Sequence, residues 1–179
     1  VQSALTLLKE SRSLMDEQDY QKAEKKLRYA YRFNKKDVGL LNAFGETLYE
    51  RRKYNESLDI LKKALEIDKN NEATKLFIGA NYLKLEKFDD AISIFYEVRI
   101  ADMQSFEANY NLGLAYKEKK QYDEAIKFFN YAIIIKYDSD IHYQLGFCYY
   151  KLADKEGAQE QYENLIKVND AKAEKLRKL

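Results

Sequence analysis

Proline and tryptophan are absent from all 179 residues, and there is one cysteine, one histidine and only six glycines. With no proline and so little glycine, few residues break a helix, so an almost wholly helical protein is expected. The lone cysteine, Cys148, excludes an intramolecular disulfide and leaves the redox compartment open. The lone histidine, His142, excludes a histidine-rich metal site. Charge of one sign is lacking as well. With 31 basic and 30 acidic residues the formal charge is +1, which gives no electrostatic footprint for nucleic acid. No apolar run reaches the length of a membrane span, and Ala132, Ile133, Ile134 and Ile135 form a short core run, so direct membrane insertion is not expected. No secretory signal is visible in a chain that starts at Val1, and the compartment is expected to be cytoplasmic or periplasmic, the cytoplasm by default.

What is present is a ruler. Gly45, Gly79, Gly113 and Gly146 recur at intervals of 34, 34 and 33 residues. Twelve positions after each stands a small residue (Ser57, Ala91, Ala125, Ala158), and four further on a large one (Leu61, Phe95, Phe129, Tyr162). A weaker first copy has Ser11 in the glycine place, with Leu14, Tyr20, Ala23, Leu27 and Ala30 in register. A period in this range is the mark of stacked helical hairpins. Polar clusters end one hairpin and begin the next at 34–37, 69–71 and 137–140. Turns inside the hairpins fall near 17–19, 51–53, 85–87, 119–121 and 153–155, and after four of them an aromatic (Tyr20, Tyr54, Phe88, Tyr122) opens the second helix. Ten helices plus a terminal stub are expected, each about 12–15 residues long.

The run Asn111-Leu112-Gly113-Leu114-Ala115-Tyr116, followed by Tyr122-Asp123-Glu124-Ala125-Ile126, resembles the tetratricopeptide repeat. The resemblance covers nearly the whole chain as five repeats, 4–37, 38–71, 72–105, 106–138 and 139–172, in a single domain over 1–179. The family's proline near the repeat end is missing, with Lys35, Lys69, Met103, Tyr137 and Asp170 in its place. Its first-helix Trp is missing too, with Leu7, Leu41, Lys75, Asn109 and His142 there instead. The resemblance implies an all-α, right-handed superhelical solenoid. In it each glycine lets two helices approach closely with the small residue of the second helix facing it, as Gly113 with Ala125. Residues 173–179 read as the start of a helix capping the last hairpin.

No constellation for catalysis stands out. His142 and Cys148 are six residues apart, about 240° around a helix, so they do not share a face. Both fall at core positions of the repeat, and no enzyme activity, cofactor or metal is expected. A local basic excess runs from Lys22 to Lys36; it reads as a solvated helix face diluted by Glu24 and Asp37.

The resemblance implies that the first helix of each hairpin lines a concave groove. The positions so assigned include Tyr49, Leu76, Phe77, Leu83, Lys84, Tyr110, Asn111, Leu114, Tyr143, Phe147 and Tyr150. The basic clamp that some relatives use for a peptide carboxyl terminus fails here, because Leu76 and Ala80 precede Asn111 while Asp140 and Gln144 follow it. The expected partner is a protein or peptide offering an apolar or amphipathic segment, and self-association is a further expectation. The leading reading is a non-enzymatic interaction scaffold. The alternatives are a structural subunit of a microbial envelope, secretion or motility assembly, and the docking portion of a larger enzyme.

Overall fold

The computed structural model describes residues 3–168 and 170–179; Val1, Gln2 and Asn169, which fall within the expected 1–179 span, lie outside them. Among the described residues there are eleven helices and no strand. They divide into two compact units, Val1–Lys87 and Phe88–Leu179. The first holds α1 (Ala4–Asp16), α2 (Tyr20–Phe33), α3 (Val38–Glu50), α4 (Tyr54–Ile67) and α5 (Glu72–Lys84). The second holds α6 (Phe88–Ala101), α7 (Phe106–Glu118), α8 (Tyr122–Ile135), α9 (Ser139–Lys151), α10 (Lys155–Lys167) and α11 (Lys172–Arg177).

The first helix of each hairpin starts at a side chain that accepts a backbone N–H group. Ser3, Asp37, Asn71, Ser105 and Asp138 cap α1, α3, α5, α7 and α9 at intervals of 34, 34, 34 and 33 residues. These caps define the helix starts in a chain that has no proline to do so. The helices stop by an equally periodic device. Gln18, Arg52, Glu86, Lys120 and Ala153 all adopt the left-handed conformation, with φ between 58° and 61°. At each, the next residue's N–H returns to a carbonyl five residues back, as Asp19 to Leu14 and Asp154 to Tyr149. This is a Schellman-type ending made without glycine.

In the first unit α1 packs on α2, α3 on α4, α2 on α3, and α4 on α5. Its core gathers Leu7, Leu27, Leu40, Leu41, Phe44 and Leu48, each contributing about 1.5–3 kcal/mol by burial. In the second, α7 pairs with α8 and α9 with α10, while α8 also meets α9 and α6 meets α7. Phe129, Ile141, Leu145 and Cys148 form the heart of that core.

The glycines make room for large side chains. A Cβ on Gly113 would lie 2.6 Å from Phe129 of α8, and one on Gly45 would lie 2.5 Å from Leu61 of α4. Helical side chains lean toward the N-terminus, so the residue covering the glycine lies a turn beyond the expected small one. The small residue reaches the backbone instead, as Ser57 Oγ donates to the Gly45 carbonyl at 2.7 Å. The last hairpin departs from the pattern. The space over Gly146 is filled by Leu176 of α11, at 2.4 Å from an ideal Cβ, rather than by Ala158 or Tyr162 of α10.

Glu24 departs from its expected role too. It is buried rather than diluting a solvated face, and its carboxylate accepts from Arg28 (2.7 Å), Lys53 (2.9 Å) and Arg51. Burial pushes the Glu24 carboxyl up, but the hydrogen bonds from Lys53, Arg28 and Arg51 outweigh it and hold it below the ordinary range. The basic excess is therefore partly a counter-charge, which ties α2 to the turn between α3 and α4.

Candidate functional site

In the first unit, the groove positions are not uniformly apolar. Tyr49, Leu76, Phe77 and Leu83 are partly buried and Lys84 is exposed. Tyr49 meets Tyr54 edge to face at 5.6 Å, which ties it to the start of α4. The Phe77 carbonyl accepts from Asn81 Nδ2 at 2.8 Å. Asn42, another first-helix position, is engaged in structure: its Oδ1 lies 2.7 Å from the Thr74 hydroxyl and its Nδ2 donates to Asn71 Oδ1 at 3.2 Å. Glu46 is partly buried beside Glu50, and burial first, then that neighbouring charge, push its carboxyl up against the pull of Arg12.

In the second unit, α7 and α9 carry the predicted residues, each with its own neighbours. Tyr110 stacks on Phe106 at 5.9 Å and lies against Phe129, so it is half core. Burial, with Asp140 and Asp138 nearby, pushes the Tyr110 phenol up to about 12. Leu114 packs on the same core cluster. Two ammonium groups approach the Phe147 ring, with Lys117 Nζ at 5.7 Å from its centre and Lys151 Nζ at 5.2 Å. Lys117 also donates to Gln144 Oε1 at 3.0 Å, and Lys151 lies 5.4 Å from the exposed Tyr150 ring. Asn111 is partly buried. Tyr143 turns elsewhere, against Leu165, Ala173 and Leu176.

The repeat register assigns Lys117 and Lys151 to the first-helix surface, and the pairing of both with Phe147 is the feature it does not give. Half of it was readable, because Lys151 stands four residues after Phe147 on one helix face. The other half comes from Lys117, thirty residues earlier on α7, and only packing brings it there.

The lone cysteine and histidine lie in the core. Cys148 is fully buried, and burial pushes its thiol up to about 12. His142 Nδ1 lies 2.7 Å from Gln161 Oε1. Among the described residues no group of acids, His or Cys is placed to hold a metal, and no helix is long and apolar enough to cross a membrane.

Three models of the tetratricopeptide repeat match the chain, over residues 39–67, 78–141 and 140–169. No curated protein matches it by sequence. Among solved structures, MamA 41-end from Desulfovibrio magneticus RS-1 is similar at 23% identity and a TM-score of 0.83, covering 93% of this chain and 94% of that one. A tetratricopeptide repeat protein from Parabacteroides merdae ATCC 43184 is similar at 17% identity and a TM-score of 0.83, covering 97% and 69%. MamA AMB-1 is similar at 20% identity with a TM-score of 0.71, covering 98% and 92%. At these identities the likeness shows the fold, an all-α solenoid of helix-turn-helix repeats.

Proposed function

Because the chain belongs to the tetratricopeptide-repeat family, we propose that it is a non-enzymatic scaffold whose first-helix surface holds a segment of a partner protein. The observation that carries this is the Phe147 ring, partly buried and approached by Lys117 and Lys151, with Tyr150 exposed three residues on. An aromatic flanked by cations suits an amphipathic segment, whose apolar residue meets the ring and whose carboxylates meet the ammonium groups. Leu114 and Tyr110 extend that surface on α7, and Tyr49, Leu76, Phe77, Leu83 and Lys84 present the corresponding positions of the first unit. The near-equality of 31 basic and 30 acidic residues favours protein over nucleic acid as the partner.

Capture from the native host identifies the partner, and truncation then tests the surface. Phe147→Ala and Phe77→Ala should each weaken binding by about 2 kcal/mol if they are anchors. Their thermal melts should stay above that of Phe129→Ala, a fully buried residue whose loss costs roughly 3–5 kcal/mol. Groove variants that melt as early as Phe129→Ala would make those residues core. Variants that melt normally and keep every partner would move binding to another face.

The second reading, a structural subunit built from copies of itself, is favoured by one observation outside this surface: an exposed apolar edge on α6 and α8.

A further inference from the structure

The ends of α6 and α8 carry apolar side chains that the core does not use. Ile100 is 77% exposed, Met103 67% and Ile134 82%, with Tyr131 and Ile135 also exposed. Met103, Tyr131, Ile134 and Ile135 line one open cleft of about 600 Å³ with Arg99. Arg99 ties the cleft to a neighbouring aromatic cluster. The hydroxyls of Tyr96 and Tyr116 hydrogen-bond at 3.3 Å, Phe128 stacks on Tyr116 at 5.4 Å, and Arg99 lies over both Phe128 and Tyr131. Arg99 Nε donates to Asn109 Oδ1 at 2.9 Å, so its charge is already engaged. None of these residues belongs to the first-helix surface proposed above.

We propose that this edge is a homotypic interface, which a second copy of the chain covers about a two-fold axis. Three observations favour a copy over an unrelated partner. Ile100 and Ile134 stand 34 residues apart, one repeat period, so the edge carries two ridges of equal spacing. A two-fold mate presents the same two ridges in reverse order, α6 of one copy against α8 of the other. That reversal brings exposed Asp102, just after α6, opposite exposed Lys136, just after α8, and does so twice. Charge thus complements where the apolar ridges meet, and a net charge of +1 gives little repulsion between copies. The five exposed side chains offer on the order of 600 Å² per copy, at the top of the range for a monomer's largest apolar patch and near the area each partner gives to a standard interface.

Sedimentation or light scattering from about 1 to 300 µM should show the mass rising from 21.2 kDa toward twice that value. Ile134→Glu should raise the dissociation constant roughly tenfold or more. Its melt at concentrations too low for pairing should be unchanged, since Ile134 is among the most exposed side chains. Asp102→Lys and Lys136→Asp should each weaken the dimer, and the double variant should restore it. Phe147→Ala should leave it intact, which separates this interface from the first-helix surface. A 21.2 kDa species at every concentration overturns the proposal. So does a dimer indifferent to Ile134→Glu, or a double charge swap weaker than either single one.

Discussion

Gly113 and Glu24 show how much rests on single positions. At Gly113 even a methyl group would press on Phe129, a side chain with no exposure, so neither partner has room to move away. Gly113→Ala should therefore cost about 1–3 kcal/mol, although alanine is the better helix former; a melt unchanged from wild type would contradict this contact. Glu24 is the reverse case, a charge the interior accepts because three cations converge on it. Removing it with Glu24→Gln leaves Arg28, Arg51 and Lys53 without their shared counter-ion. Stability at neutral pH should fall by about 2–4 kcal/mol, the cations' partial exposure softening the loss. The carboxyl is held below its ordinary value near 4.5, so its contribution is complete above that pH and fades as pH falls through the lowered value. Acid titration of stability should be steeper for wild type than for Glu24→Gln. The sequence pointed to Gly113 through its spacing. It could not reveal the role of Glu24, because Arg51 and Lys53 reach it from 27 and 29 residues away.

At the scale of elements, the hairpins were legible because their determinants are local. Capping residues, αL turn residues and opening aromatics each act within a few positions of the boundary they set, so a 34-residue ruler exposes them. The αL residues add something the ruler does not state. Each of the five turns places a side chain where glycine would be unstrained. Ala153 has no polar side chain to compensate, and Ala153→Gly should raise stability by about 0.5–1 kcal/mol, the relief of strain exceeding the added freedom of the unfolded chain. A lower melting temperature would show that the turn is held by something other than its backbone. The packing of the last hairpin was harder to read. Leu176 over Gly146, and Tyr143 turned toward α11, depend on a six-residue helix meeting α9 and α10, which no repeat offset encodes. The candidate surface divides in the same way: register selects the positions, and only packing decides which of them touch.

For the molecule as a whole, stacked repeats derive stability mainly from neighbours, and long-range charge has little part in it. Its net charge of +1 and isoelectric point near 7.8 remove the mutual repulsion that keeps many proteins apart. Association between copies should accordingly weaken from pH 7.8 toward about pH 10, where lysine and tyrosine side chains change charge and the net charge turns strongly negative, as read from the concentration dependence of the mass at each pH. An association flat across that range would assign the contact to apolar burial alone. The seat over Gly146 bears on how such assemblies grow. Leu176 arrives on a tether, so its local concentration there is set by the short α10–α11 connection and not by how much protein is in solution. An incoming helix that would extend the stack over α9 competes against this built-in occupant and starts at a disadvantage that dilution or crowding does not remove. Within each copy that seat is already taken, whereas the proposed edge on α6 and α8 has no such occupant among the described residues.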